Sequence, residues 1–185
     1  MASLPNSKTV TYEEWLHMPE VTAAIEEVVN GEIRIMPAPA WKHHRIIERT
    51  CRAIESQVDT GTFSFAEGGF DLIIRKAPLT CRIPDLAVFD MTTLVEQDGH
   101  IHSAPQLLVE VLSPANTRRE REEKLADYAS LGVPEVWVIS PEARTVEVLF
   151  GEDGFLRSAQ ILSHGPLTPK LFPNVTVDIA SIWPD

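Results

Sequence analysis

The chain has 185 residues and a formal net charge of −11 at pH 7. Its 44% hydrophobic and 23% charged residues are typical of a folded globular protein and argue against a disordered or collagen-like chain. A protein that coats nucleic acid non-specifically is normally basic, because phosphate neutralisation dominates such binding, so any nucleic-acid contact must depend on a local site. Residues 1–185 are about the size of one domain, and we treat them as a single domain.

The sequence predicts neither a membrane span nor secretion. No apolar run approaches the roughly 20 residues that a transmembrane helix needs. The first residues, MASLPNSKTVTYEEW, lack the basic start and apolar stretch of a secretory signal. Cys51 and Cys81 do not have the spacing of a metal site, and a disulfide framework is not expected. The expected location is the cytoplasm, without membrane contact.

The first third of the chain predicts a helix, a strand and a second helix. Acidic residues after Thr11 suit the positive end of a helix, which we predict at residues 11–29. A turn at Asn30-Gly31 leads to a strand at residues 32–36 and a proline-rich break. The clearest helix is predicted at residues 42–58, where apolar side chains recur with helical spacing at Ile47, Cys51, Ile54 and Val58.

The middle of the chain is rich in strand-like segments. Strands are predicted at residues 62–66, 70–75 and 86–89, with glycine and proline residues between them. The apolar run 107–112, interrupted only by Glu110, predicts a strand that is buried on both faces.

A capping box at Thr117 and Glu120 predicts another helix, which runs to about Leu131 and stops at Gly132. The remaining predictions are strands at 136–139 and 145–150, one or two edge strands from residue 155 onward, and an anchor at Trp183. This order of elements predicts an α/β (α+β) fold, in which helices flank a mixed β-sheet.

Glu110 is the first residue in an unusual setting. It interrupts the run Leu-Leu-Val-Glu-Val-Leu, so its carboxylate is expected in the sheet interior or at the mouth of the sheet. Burying an unpaired charge costs several kcal/mol, so the carboxylate needs a cationic partner, a proton or a metal ion. A salt-bridged core glutamate, or a glutamate at a sheet edge, is the structural alternative.

Asp85 is a second carboxylate at a strand end. It follows Pro84 at the start of the predicted strand 86–89, where an aspartate that merely ends a loop is common. Together, Asp85 and Glu110 on neighbouring strands indicate a metal site. Magnesium is bound by one or two carboxylates together with waters and substrate phosphate.

Lys124 lies in the helix predicted after Thr117, at the border of the face that packs inward. An ordinary surface ion pair with Glu120, four residues earlier, is one interpretation. The other is an ammonium group that the short 113–116 connection brings toward Glu110.

The succession of Asp85, Glu110 and Lys124 resembles the PD-(D/E)XK nuclease superfamily. There the lysine usually follows the glutamate by two residues on the same strand. Here Leu112 holds that place and the lysine is displaced to the next helix, which is a variation of the superfamily. More closely, the chain resembles the Uma-type restriction endonuclease family. The matching stretches cover about residues 25–140 in order and are 27–32, His43 with 46–47, 84–88, 109–114, 116–124, Tyr128, 132–133 and 136–139.

This resemblance implies a restriction-endonuclease-like fold and a metal-dependent endonuclease that hydrolyses phosphodiester bonds in DNA. Asp85 and Glu110 would bind one or two magnesium (or manganese) ions, together with the backbone carbonyl of Val111. The metal would bind the scissile phosphate and lower the pKa of the attacking water, and Lys124 would stabilise the developing negative charge. A homodimer is expected, because cutting two strands favours two sites and two-fold symmetry supplies them.

His43, Glu67 and Glu32 are secondary candidates. His43 is either a packed core histidine or a group at the mouth of the site that contacts substrate or water. Glu67 precedes two glycines and is either a turn residue or a third carboxylate at the metal. Glu32 begins a strand after a turn and is either exposed or a further acid of the site.

Basic residues also recur with helical period on the side of the predicted helix 42–58 that lies opposite its apolar face. A concentrated positive stripe on an acidic protein could guide a DNA backbone, whereas a solvated helix face is the alternative. The stripe consists of Lys42, Arg45, Arg49 and Arg52.

Two other classes of function compete with the nuclease. One is a catalytically silent interaction protein that keeps the nuclease fold, which the negative net charge favours. The other is a small phosphohydrolase that acts on nucleotides and needs a closed pocket. Asp85, Glu110 and Lys124 favour catalysis, because a protein without catalytic activity does not need a carboxylate within an apolar strand.

Overall fold

The computed structural model describes residues 9–19, 25–36, 38–114 and 116–184. The helices of these residues are α1 (Tyr12–Leu16), α2 (Trp41–Glu55), α3 (Arg118–Leu131) and α4 (Ile179–Ile182). Their strands are β1 (Ile25–Val29), β2 (Glu32–Met36), β3 (Phe63–Glu67), β4 (Leu72–Lys76), β5 (Leu79–Arg82), β6 (Leu86–Asp90), β7 (Glu96–Gln97), β8 (His100–Ile101), β9 (Leu107–Val111), β10 (Glu135–Ser140), β11 (Thr145–Glu152), β12 (Phe155–Leu162), β13 (Pro166–Leu167) and β14 (Val177–Asp178).

Most of the described strands belong to two sheets of six strands each. The first sheet has the order β2-β1-β5-β4-β8-β7, in which β4 and β8 are parallel and the other described neighbours antiparallel. The second has the order β12-β11-β10-β9-β6-β3, in which β9 and β10 are parallel. This confirms the predicted α+β fold of mixed strands flanked by helices, although the strands divide between two large sheets rather than forming one.

Helix α3 connects the parallel strands β9 and β10. Parallel neighbours cannot be joined by a tight turn, so the chain must cross over one face of the sheet. The predicted capping box at Thr117 and Glu120 starts the helix, and Gly132 ends it at a φ of 89°. The crossover places α3 against the face of the second sheet on which Leu108 and Glu110 project.

Helix α2 covers the opposite face of the same sheet. Its buried side chains Ile47 and Ile54 pack in one core cluster with Val109 of β9, whereas Leu108 packs with Tyr128 of α3. Successive residues of β9 therefore point to opposite faces, each covered by a helix, which explains the continuous apolar run. Full burial of each such aliphatic side chain contributes roughly 1.5–3 kcal/mol to folding.

The predicted helix at residues 11–29 is wrong in its second half. α1 ends at Leu16, residues 20–24 lie outside the described residues, and residues 25–29 form β1. Asn30 and Gly31 both have positive φ, as a two-residue hairpin turn requires, and they join β1 to β2. The turn signal therefore closes a hairpin instead of ending a helix, and residues 25–29 must pair as a strand.

The other predicted elements are confirmed to within a few residues. The sequence pattern does not predict β5, β7, β8 and α4, which have only two to four residues each. Trp183 is buried, as the predicted anchor requires, and Pro37 of the predicted break lies outside the described residues. In the part of the chain that the structure describes, no helix is both long and apolar enough to cross a bilayer.

Candidate active site

Two neighbouring strands bring Asp85 and Glu110 together. The antiparallel register of β6 and β9 pairs Leu86 with Val109, so one further step places Asp85 opposite Glu110. Asp85 precedes β6, and Glu110 is the fourth residue of β9. The carboxylates, which lie 25 positions apart in the sequence, therefore meet at one end of the second sheet.

Asp85 is held from two sides. Its Oδ2 accepts a hydrogen bond of 2.7 Å from the backbone N–H of Val111, on the neighbouring strand. Its Oδ1 lies 3.0 Å from Nε2 of His43, the third residue of α2. His43 is partly buried, and the structure places it at the candidate site instead of in an apolar core. The α2 helix and β9 thus fix both oxygens of the Asp85 carboxylate.

Glu110 has two partners on α3. The Tyr128 hydroxyl donates to Glu110 Oε1 at 2.5 Å, and Lys124 Nζ donates to Oε2 at 3.0 Å. Lys124 and Tyr128 are four residues apart, a spacing that puts both side chains on one face of the helix. The carboxylate side chain is 13% exposed, so these bonds form in a largely dry environment.

Glu110 has a pKa that is raised from its ordinary value of 4.5 to about 7. Burial is the largest cause, and the negative charges of Asp85 and Glu27 act in the same direction. The Lys124 ammonium and the Tyr128 hydrogen bond oppose them but do not cancel them. A glutamate with this pKa exchanges its proton near neutral pH. A nearby cation would stabilise its ionised form more than it would stabilise that of an exposed glutamate.

Lys124 is held by three acceptors on three different segments. Its ammonium lies 3.0 Å from Glu110, 3.1 Å from Glu27 Oε1 and 3.4 Å from the carbonyl oxygen of Ile83. Burial alone would lower the pKa of this lysine, but the surrounding carboxylates outweigh it and raise the pKa above the ordinary value. The group is a permanent cation, and Glu120 belongs to the helix cap, so the surface ion pair considered above does not form.

Glu27 is a member of the site that the sequence pattern did not identify. Its side chain is only 2% exposed and binds Lys124, the guanidinium of Arg82 at 2.8 Å and the backbone N–H of Ile83 at 3.1 Å. Burial acts to raise its pKa, but Lys124 and Arg82 together lower it. The helix predicted over residues 11–29 concealed this position. A signal did exist, since a glutamate precedes two valines and a hairpin turn.

The carboxylates and the lysine of the site belong to a larger connected set of charged side chains. Arg82 also binds Asp127 of α3 at 2.6 Å, and Asp127 in turn binds Arg75 at 3.1 Å. We call this set the charge cluster; its members are Glu27, Arg75, Arg82, Asp85, Glu110, Lys124 and Asp127. Four carboxylates and three cations leave one negative charge when all are ionised, and none when Glu110 carries a proton. The raised pKa of Glu110 agrees with this count.

Two other predicted site residues, Glu67 and Glu32, are not brought to the cleft beside Glu110. Burial, together with the hydrogen bond that the Cys51 thiol donates to Glu67, raises the pKa of Cys51 to about 12. Glu32 is exposed at the start of β2, whereas Met36 at the other end of that strand lines the cleft beside Glu110. Neither glutamate is among the described residues that line this cleft.

The basic stripe of α2 is largely paired within the chain. Arg45 and Arg52 both bind the single carboxylate of Glu48, the latter at 2.6 Å. Arg49 donates to the backbone carbonyl of Trp183 and so ties α2 to the C-terminal segment. The stripe therefore carries less net charge than its sequence indicates.

Two adjoining clefts open on the Glu110 side of the candidate site, and Asp85 is not among the described residues that line them. The first, of about 60 Å³, is lined by Glu110, Lys124 and Tyr128 among others. The second, of about 260 Å³, lies at the end of β9 and the start of α3. They share Arg121 and Leu112 in their linings, so an extended molecule could occupy both. Neither is a closed pocket of the kind that a nucleotide phosphohydrolase needs.

The side chains present suit a hard divalent cation with few protein ligands. In the described residues, no three histidine, cysteine, aspartate or glutamate side chains are grouped as a metal site. Asp85 and Glu110 are two carboxylates, and Mg²⁺ typically takes one or two carboxylates and fills its remaining positions with waters and phosphate oxygens. Their four oxygens already accept hydrogen bonds, so a cation would have to share them.

An aspartate and a glutamate on adjoining antiparallel strands of a mixed sheet, with a lysine nearby, place the chain in the restriction-endonuclease-like fold. A solved structure, a putative nuclease belonging to DUF820 from Anabaena variabilis, is similar in fold, with a TM-score of 0.76 and 21% identity. The match covers 94% of this chain and 97% of that one. The chain belongs to the Uma2 family, whose model is described as a putative restriction endonuclease and matches residues 12–180. Among curated proteins, none matches the sequence significantly.

Proposed function

We propose that the protein is a metal-dependent endonuclease that hydrolyses phosphodiester bonds in DNA. The observation that carries this proposal is the junction of Asp85 and Glu110 on adjoining strands, with Lys124 Nζ at 3.0 Å from Glu110. Membership of the Uma2 family supports the reaction class.

Asp85, Glu110 and the backbone carbonyl of Val111 would hold Mg²⁺ or Mn²⁺. When bound, such an ion supplies a Lewis acid for the phosphate and an activated water. The charge cluster supports this assignment, because its one net negative charge suits a divalent cation together with one singly charged phosphodiester. With both bound, the cluster would be neutral.

The protein's own groups would position and stabilise the reacting phosphate. Lys124 stays charged and sits at the cleft, where it can stabilise negative charge that develops on the phosphate. Tyr128 and His43 each hold one oxygen of a carboxylate and so restrict its rotation. Preorganised groups of this kind stabilise a transition state without first having to reorient.

Residues 1–185 would act as one domain, because the charge cluster joins both large sheets through α3. Arg82 lies on a strand of the first sheet, Glu110 on a strand of the second, and Asp127 and Lys124 on the helix. Cleavage of both DNA strands would require two copies of the site, which a homodimer supplies by symmetry.

One specific observation favours the catalytically silent alternative. Every carboxylate oxygen of Asp85 and Glu110 already accepts a hydrogen bond from the chain itself. A purely structural charge cluster would have the same closed set of bonds. The two functions differ in phosphodiester cleavage and in the stability that a divalent cation is expected to add, both of which belong to the nuclease.

The test is cleavage of an end-labelled DNA oligonucleotide, single-stranded and duplex, by the wild type and by Asp85→Asn. We expect the wild type to cleave the oligonucleotide in the presence of magnesium. A metal chelator and the substitution Asp85→Asn should each abolish this cleavage. Glu152→Gln is the matched control, because this exposed glutamate lies at the opposite end of the second sheet. Cleavage that survives in Asp85→Asn would place the reaction elsewhere, and no cleavage of any substrate would favour the silent protein.

A further inference from the structure

Trp41 is unusually exposed for its size. Its side chain is 75% exposed, more than any other large apolar side chain of the described residues. Leaving an indole in water forgoes the stabilisation that burial of a large aromatic ring provides. An exposed aromatic ring can serve as a platform on which a nucleobase stacks.

Trp41 lies close in the chain to residues of the candidate active site, although it lines neither of the two clefts. It is the first residue of α2, and His43, two residues later, contacts Asp85. Two peptide steps limit the separation of the Trp41 and His43 Cα atoms to about 7.6 Å. Met36, five residues before Trp41, lines the cleft beside Glu110. Residues of the site therefore flank Trp41 on both sides in sequence.

The surroundings of the indole suit a polyanion. The first turn of α2 contains no acidic residue, although the protein as a whole carries a charge of −11. Lys42 follows Trp41 and is exposed. The Arg45 guanidinium, which is also paired with Glu48, lies 5.9 Å from the centre of the indole ring, and the centre of the His44 ring is 5.9 Å from that of the indole.

We propose that Trp41 stacks on an unpaired nucleobase of the strand whose phosphate lies at Asp85, so that the protein prefers single-stranded nucleic acid to intact duplex. This inference rests on the proposed function. An aromatic side chain binds any base by its π-face, so the contact would be tolerant of sequence. In intact duplex each base already stacks on its neighbours and has no free face to offer.

The test is the affinity of the full chain for a labelled single-stranded oligonucleotide and for its duplex, with calcium in place of magnesium. We expect Trp41→Ala to weaken single-strand binding about tenfold or more, since stacking on one base is worth about 1–3 kcal/mol. Duplex binding should change far less. Trp41→Phe should retain most of the affinity, because it keeps an aromatic face. Phe155→Ala is the control, since Phe155 is 64% exposed on the edge strand β12.

Each other outcome contradicts the inference in a distinguishable way. Wild type that cleaves in magnesium, with unchanged single-strand affinity in Trp41→Ala, overturns the stacking role and leaves the proposed function standing. Equal losses for single strand and duplex show a general contact instead of base stacking. A changed sedimentation coefficient with unchanged affinity assigns Trp41 to a contact between copies. Wild type that neither binds nor cleaves any nucleic acid overturns both proposals.

Discussion

Lys124 Nζ lies 3.0 Å from Glu110 Oε2, although the two residues are 14 positions apart and belong to a helix and a strand. The ammonium reaches the carboxylate because α3 crosses back over the face on which Glu110 projects. Leu112, two residues after Glu110, instead lies at the end of the strand and lines both clefts. The helix thus supplies the cation that the strand does not.

Replacement of Lys124 separates metal binding from cleavage. Lys124→Ala is expected to bind Mg²⁺ and to lose most phosphodiester cleavage, because both carboxylates remain while the cation that stabilises the developing charge is gone. Lys124→Met keeps most of the side-chain volume and should behave in the same way, which shows that the charge matters. Cleavage rates with saturating magnesium measure this, and a variant that cleaves like the wild type would remove Lys124 from the reaction.

Glu27 is expected to matter through Lys124. Glu27→Gln keeps the shape of the side chain but removes one of the buried charges that hold Lys124 and Arg82. Breaking a buried ion pair typically costs about 3–5 kcal/mol, so the free energy of unfolding should fall by a similar amount. Cleavage should also fall in protein that is still folded. Urea unfolding and cleavage rates measure the two effects.

Glu26→Gln is the matched control for Glu27, since Glu26 is the next residue on β1 and pairs with the exposed Ile35 of β2. It should leave both the stability and the cleavage rate close to those of the wild type. Equal effects of the two substitutions would mean that the strand, and not the buried charge, accounts for the result.

Metal-free protein should lose stability as the pH rises, because of Glu110. Its pKa of about 7 in the folded state exceeds the ordinary 4.5, so the folded state binds the proton more tightly than the unfolded state. The favourable contribution is complete below about pH 4.5 and is lost progressively as the pH rises to about 7 and above. Glu110→Gln lacks this loss. Its stability relative to wild type should therefore increase between pH 5 and pH 8, by an amount on the order of a few kcal/mol.

Urea unfolding of both proteins in the presence of a chelator, at several pH values, measures this difference. Glu152→Gln, which changes an exposed glutamate, should show a constant difference from wild type over the same range. A stability difference between Glu110→Gln and wild type that does not depend on pH would mean that Glu110 is ionised throughout, and the assignment of its raised pKa would be wrong.

The basic stripe of α2 leads to a prediction on salt dependence. If Arg45 and Arg52 contact phosphates, changing both to Gln should reduce the slope of log affinity against log salt by about 0.9 per lost contact on duplex DNA. Folding should survive, because both side chains lie away from the apolar face of α2. Arg49 is left unchanged because it holds the backbone of Trp183. An unchanged slope would show that the stripe, already neutralised in part by Glu48, is only solvated.

The sequence pattern predicted the elements that depend on local signals. The capping box at Thr117 and the glycine at 132 bound α3 as expected, and the apolar run around Glu110 is a strand covered on both faces. The pairing of Asp85 with Glu110 followed from their positions on neighbouring strands. For Lys124, helical spacing gave only the border of the inward face; the short 113–116 connection indicated Glu110 as its partner, with Glu120 as the alternative.

The rest of the site could not be predicted because it depends on long-range contacts. Glu27 and Arg82 lie 55 positions apart and meet only when the two hairpins of the first sheet pair. β5, which carries Arg82, is four residues long and has no periodicity to detect. The sequence pattern predicts a helix that ends before the Asn30-Gly31 turn, whereas the two positive φ angles of that turn are those of a hairpin.

The most direct measurement is calorimetric titration of Mg²⁺ and Mn²⁺ into wild type, Asp85→Asn, Glu110→Gln and the control Glu152→Gln, followed by thermal unfolding with and without the metal. We predict that wild type and control bind the ion and are stabilised by it. Asp85→Asn and Glu110→Gln should fold but show neither heat of binding nor stabilisation. Equal metal affinity in all four proteins, or none in the wild type, would contradict a metal site at Asp85 and Glu110.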